Sequence, residues 1–232
     1  MPDAAQGGSL ADTHEGKPGL PRGRSRLPQP TVLASQRERL LRAVIAAVAE
    51  SGYSAVTVAD IVRLAKVSRA AFYAHFTGKD DCFFTATREG GQLMNDRVHA
   101  ATRTLPPGTP DEASLRASCR AYLDFLAEEP VFAKVFYIDM PTAGPFAVER
   151  LDLAARRYAD MTSRWHARAR ARHPEWPAVP AEAYLALAGA TAELVRSMVR
   201  ADKISDLPSL EDTLIALHLA VLAGQPWRSS SS

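Results

Sequence analysis

The chain has 232 residues, 47% of them hydrophobic, enough to bury one substantial core or two small ones. It has no apolar run near 18 residues and no charged-then-apolar start, which argues against a membrane span or a signal peptide and predicts a cytoplasmic protein. The net charge of +2 says little, but residues 17–79 hold eleven of the basic side chains and three of the acidic ones, so one end of the chain is built to meet a polyanion.

Residues 1–34 are rich in Pro, Gly, Ser and Ala without a sustained apolar period, which predicts a disordered arm. Lys17, Arg22, Arg24 and Arg26 sit just upstream of the first helix, where they serve either as a DNA-contacting arm or as a solvated linker. A first helix is expected over residues 36–51, with Ser35 and Glu38 as a capping box, an apolar stripe of Leu40, Leu41, Val44, Ile45 and Val48, and Gly52 as its stop. Two short helices follow. Thr57 and Asp60 form the capping box of one, and Ser68 caps the other, whose Ala71, Phe72 and Phe76 recur at helical spacing on a buried side. Ala65-Lys66-Val67 between them is a turn short enough to set the pair at a steep angle. Three short helices on one small core, the third projecting its first residues, have the geometry that enters a major groove.

Gly52-Tyr53, Val56-Thr57-Val58, Asp60-Ile61, Ala65, Val67-Ser68, Phe72-Tyr73, His75-Phe76 and Lys79 together resemble the DNA-binding domain of TetR-type (tetracycline-repressor-like) transcriptional regulators, over roughly residues 36–84. The rest of the chain resembles that family only in helical pattern and length. The resemblance implies phosphate contacts from Thr57, Tyr73, His75 and Lys79. It also implies base contacts from the start of the recognition helix at Ser68, Arg69 and Ala70, where Arg suits guanine O6 and N7 and Ala suits a thymine methyl. Asp80 and Asp81, beside Lys79, stabilise a helix start but repel DNA.

From residue 80 onward every segment reads as helix, so the expected fold is all-α. The expected domains are the helix-turn-helix unit at 35–79, a ligand-binding and dimerisation body at 80–224, and a frayed tail at 225–232. Helices are expected near 80–104, 111–128, 130–140, 145–172, 180–201 and 209–223, the last capped by Ser209 and Asp212. The final helix is apolar almost all round, which asks for a second partner surface. Leu214, Leu217, His218 and Val221 on it, with Leu187, Thr191, Leu194, Val195 and Met198 on the helix before, are therefore candidates for a twofold four-helix interface, as in the family it resembles. Tyr122, Phe125, Phe132, Phe136, Tyr137, Met140, Tyr158, Met161 and Trp165, with Thr162, read either as solid core or, by the resemblance, as the wall of a cavity for a mostly apolar small-molecule inducer. His166 is expected to be a satisfied or exposed histidine.

The chain shows no Gly-rich phosphate loop, no metal-spaced His or Cys cluster and no nucleophile constellation, and Cys82 and Cys119 read as reduced thiols, so neither an enzyme nor a cofactor is expected. The expected function is a dimeric, ligand-responsive regulator, most simply a repressor of a palindromic double-stranded DNA operator. The alternatives are a constitutive or architectural DNA-binding protein without an inducer, and an activator of the same fold.

Overall fold

The computed structural model describes residues 9–13 and 29–226, which are helical throughout apart from turns and connections. The basic residues Lys17, Arg22, Arg24 and Arg26 lie outside the described residues, as does the tail from 227. The described chain forms two compact units. The first is built from the residues up to Gln92 together with Glu129–Ala143, the second from Leu93–Glu128 and Gly144 onward, a division unlike the expected 35–79 and 80–224.

In the first unit α1 (Gln29–Ser51) buries Leu40, Val44, Ile45 and Val48 as a stripe and ends at Gly52, whose φ of 78° suits glycine and whose N–H donates to the Val48 carbonyl at 2.8 Å. The helix starts seven residues before the expected 36. Pro30 is tolerated there because the amides of a first turn have no helical partner to lose. Ser35 and Glu38 are therefore interior positions and not a capping box, and Glu38 pairs instead with Arg42 at 2.6 Å. Residues 29–34, assigned from sequence to a disordered arm, are helical.

The next two helices are α2 (Val58–Ala65) and α3 (Arg69–His75). Lys66 between them is left-handed, at φ 53°, and its N–H returns to the Arg63 carbonyl. The Arg39 guanidinium donates to the carbonyls of Ala65 and Lys66, so α1 ties down the turn and satisfies the end of α2.

The helix α4 (Lys79–Arg103) begins in the first unit and ends in the second. Also in the first unit is the segment expected as one helix over 130–140. It is instead a short α6 (Pro130–Lys134), a π-helical turn (Val135–Asp139) and a 3-10 turn (Met140–Thr142). Pro141 is the physical reason: it has no N–H to return to the Tyr137 carbonyl, and its ring crowds the preceding turn, so the ladder changes pitch.

The second unit holds α5 (Asp111–Glu128), α7 (Pro145–Arg170), α8 (Ala181–Arg200) and α9 (Glu211–Leu222). A 3-10 segment, Ile204–Leu210, runs directly into α9, leaving Leu210 at the cap without a side-chain bond; the expected Ser209 and Asp212 cap is not formed. Asp212 is taken by Arg116 of α5 at 2.6 Å, and Glu211 by Arg116 and Arg120 at 2.8 and 2.7 Å. At the first residue of α5, the buried Asp111 is held by Arg172 and, at 3.3 Å, by His173.

Candidate nucleic-acid interface

The recognition helix α3 is held by its caps and by one face. The Ser68 hydroxyl accepts the Ala71 N–H at 3.1 Å, Phe72 is fully buried, and Phe76 meets it at 5.8 Å between ring centroids. Anchored so, α3 leaves Arg69, Ala70, Tyr73 and Ala74 exposed.

Thr57 makes the expected capping box: its hydroxyl accepts the Asp60 N–H at 3.4 Å while Asp60 accepts the Thr57 N–H at 3.1 Å. The Thr57 hydroxyl also donates to the Asp60 carboxylate at 2.7 Å, and this bond, then the one from the N–H, holds that carboxyl below the usual carboxylate range. Thr57→Ala is expected to cost about 1 kcal/mol, read by urea unfolding; no change would remove the cap from the account of α2.

Tyr73 is half exposed, at 49%, and its hydroxyl lies 3.5 Å from Arg69 Nη2, with the guanidinium 5.7 Å from the ring centroid. His75 differs from the expectation. Its ring is tilted against Phe76, 6.2 Å away, and Nε2 is enclosed without a partner, so a phosphate contact through that atom requires the ring to turn. Lys79 is engaged within the domain: its ammonium donates to the Tyr53 carbonyl at 2.8 Å and sits 4.3 Å over the Tyr53 ring. The acids beside it are also occupied. Asp80 accepts the Tyr53 hydroxyl at 2.5 Å, and Asp81 accepts the Thr77 N–H at 2.9 Å. Burial, then the bond to Asp80, pushes the Tyr53 phenol up, keeping it a donor. Tyr53 was not among the residues expected from sequence to serve this site, although its place next to the Gly52 stop puts it where α4 begins.

The ten candidate ligand residues fall in both units. In the first, Phe132, Tyr137 and Met140 are buried, and Phe136 stacks on Phe132 at 5.8 Å and meets Tyr137 edge-on at 5.2 Å. In the second, Phe125, Thr162 and Trp165 are buried, while Tyr122, Tyr158 and Met161 are partly so. Trp165 lies 5.8 Å from Trp176, and the buried His166 bonds the Tyr184 hydroxyl through Nδ1 at 2.9 Å.

Five of the nine candidate dimer residues, Leu187, Thr191, Val195, Leu214 and His218, are buried by their own chain and are unavailable to a partner as placed. Thr191 and His218 instead sandwich Tyr158. His218 Nδ1 lies 2.7 Å from the Leu214 carbonyl, which can only accept, so Nδ1 carries the proton in the neutral ring and Nε2 accepts the Tyr158 hydroxyl at 3.0 Å. The Tyr158 oxygen in turn accepts the Thr191 hydroxyl at 3.3 Å. Leu194, Met198, Leu217 and Val221 keep partial exposure.

Both cysteines are buried and free. Burial pushes the Cys82 thiol far up and the Cys119 thiol to about 12, so neither is an activated thiolate. Among the described residues there is no His, Cys, Asp and Glu group suited to a metal, and no helix is long and apolar enough to cross a membrane.

Residues 40–86 match the family model of bacterial regulatory proteins of the tetR family. Those residues therefore carry that family's helix-turn-helix DNA-binding domain, and the described residues around it are helical. The fold is similar to that of the fatty acid degradation regulator FadR from Bacillus halodurans, with a TM-score of 0.72 and 18% identity over 83% of this chain and 97% of that one. It is also similar to FadR from Bacillus subtilis in complex with stearoyl-CoA, with a TM-score of 0.67 and 16% identity over 81% and 98%. SmeT, the repressor of the Stenotrophomonas maltophilia multidrug efflux pump SmeDEF, matches with a TM-score of 0.66 and 18% identity over 84% and 94%.

Proposed function

We propose that the protein is a cytoplasmic repressor that binds a palindromic operator as a homodimer and is released by a mostly apolar small molecule. The observation that carries the DNA half of this reading is the capped and anchored α3, with Arg69, Ala70, Tyr73 and Ala74 turned to solvent. Ser68 caps the helix that carries that face, Thr57 caps α2, and Lys79, bonded to the Tyr53 carbonyl, keeps further N–H donors for a phosphate.

The dimer face is the outer side of α8 and α9: exposed Leu185, Ala186 and Gly189, with half-buried Leu194, Met198, Leu217 and Val221. A Cβ at Gly189 would meet nothing within 4 Å, which leaves room for a partner helix to approach closely. The ligand half rests on the second unit's Tyr122, Phe125, Tyr158, Met161, Thr162 and Trp165. FadR of Bacillus subtilis was solved with stearoyl-CoA, and an acyl or aromatic molecule suits walls of this chemistry. If the ligand favours a head spacing that does not fit the operator, DNA must weaken ligand binding by the same factor.

Titration by fluorescence anisotropy of the DNA upstream of its own gene, against scrambled DNA, tests the reading. Saturable preference for the upstream DNA is expected, lost in Arg69→Ala. Affinity is expected to fall by about 10³-fold or more between 50 and 200 mM salt for a dimer neutralising at least six or so phosphates. Equal, weak binding to both DNAs would favour the constitutive, non-specific alternative.

A further inference from the structure

The solvent face of α3 is chemically sparse. Of its four exposed residues, Ala70 and Ala74 offer only methyl groups, and Tyr73 a ring edge with one hydroxyl. Arg69 alone carries a fork of donors able to take two acceptors of one base at once. That fork is also placed: one turn on, the Tyr73 ring lies 5.7 Å from the guanidinium carbon and its hydroxyl 3.5 Å from Nη2. Tyr73 is itself fixed by the fully buried Phe72, which meets it edge-on at 5.3 Å and 87°. A free arginine at a helix start samples many rotamers and must lose them on binding, whereas one stacked on an anchored ring has already lost part of that freedom.

We infer that sequence reading by this protein is concentrated on one guanine per half-site, taken through O6 and N7 by Arg69, with thymine methyls against Ala70 and Ala74, and that Tyr73 is the positioning residue for Arg69 and not a phosphate ligand. This rests on the DNA-binding reading and names what that site recognises. The two roles for Tyr73 differ in what they change. A phosphate contact contributes alike to every sequence and to the salt slope, while a positioning contact contributes only where Arg69 meets its guanine.

The test begins with duplexes selected from a random pool by the full-length protein. In the selected duplex each guanine is replaced in turn by 7-deazaguanine, which lacks N7, and each thymine by uracil, which lacks the methyl group. One guanine per half-site is expected to be sensitive, by roughly 5- to 150-fold. Arg69→Ala is expected to abolish that sensitivity. Tyr73→Ala is expected to reduce it while leaving binding to random DNA and its salt slope unchanged, and Tyr73→Phe, which keeps the ring, to retain most of it. Both side chains are exposed, so unchanged melting temperatures are expected in all three variants. A Tyr73→Ala protein that binds all sequences more weakly, with a shallower salt slope, would make Tyr73 a phosphate ligand and overturn the inference. So would a selected sequence with no sensitive guanine, or guanine sensitivity surviving in Arg69→Ala; in either case specific DNA binding would still stand. Failure to enrich any sequence would overturn the DNA-binding reading, and the inference with it.

Discussion

Alanine at Gly90 is expected to destabilise the protein by about 1–2 kcal/mol, while alanine at the neighbouring Gly91 stabilises it by about 0.5–1 kcal/mol. Both glycines lie inside α4, where alanine by itself favours the helix by up to about 1 kcal/mol. The difference is what a methyl group would meet. At Gly90 it would collide with the edge of the Phe132 ring, including Cζ at 2.7 Å; at Gly91 it would meet nothing within 4 Å. Phe132 cannot easily turn aside, being only 1% exposed and stacked on Phe136. Overpacking of a closed core costs about 1–3 kcal/mol, more than the helix preference returns. Urea unfolding of the two variants decides it. Equal stabilisation would show that Phe132 does not rest on the α4 backbone, and recovery of stability in Gly90→Ala with Phe132→Leu would show that it does.

Removing the Tyr158 hydroxyl is expected to cost about 1–3 kcal/mol, because Tyr158→Phe leaves the Nε2 acceptor of a fully buried His218 without its donor and the Thr191 hydroxyl without its acceptor. The same site makes stability depend on acidity. Burial lowers the His218 basicity, outweighing the bond to the Leu214 carbonyl, and burial likewise lowers that of His166. Both rings therefore stay neutral in the folded protein at a pH where the unfolded chain, titrating near its ordinary value of about 6.5, has begun to take up protons. The unfolded state binds more protons in that window, so stability falls as pH drops below about 6.5, by up to about 1.4 kcal/mol per pH unit for each histidine until its folded-state value is reached. Denaturant unfolding at pH 7.5, 6.5 and 5.5 should show this decline, with a shallower slope in His218→Gln. An identical slope in that variant would mean that His218 takes up its proton alike in the folded and unfolded states.

The amino-acid sequence carried the DNA-reading domain because its signals are local. A cap such as Thr57 with Asp60, a stop such as Gly52 and an anchor such as Phe72 act within one or two helical turns, and the structure has all three where the spacing puts them. Helix starts were less legible. Ser35 and Glu38 have the form of a capping box, yet nothing in that tetrapeptide stops a helix already begun at Gln29, and Asp212 is taken from its expected cap by Arg116, 96 positions away in the chain.

Tertiary packing decided what periodicity could not. An apolar stripe states that a face is covered without stating by what, so α8 and α9 read as an interface whereas Leu187, Val195 and Leu214 are spent on the chain's own core and only the outer residues remain for a partner. Polar groups depend still more on distant neighbours. The Tyr158, Thr191 and His218 chain joins three helices, and Lys79 is drawn to Tyr53, 26 positions earlier. Caps and periods acting over a turn or two were enough to read the class of fold, the helix-turn-helix and the Phe72 and Phe76 anchors of its third helix, though not the exposure of Ala74 or the enclosure of His75. Which of the domain's side chains are held by internal partners, as Lys79 is by Tyr53, and which stay exposed, as Arg69 and Tyr73 do, came from packing, because hydrogen-bond partners are set by proximity in space.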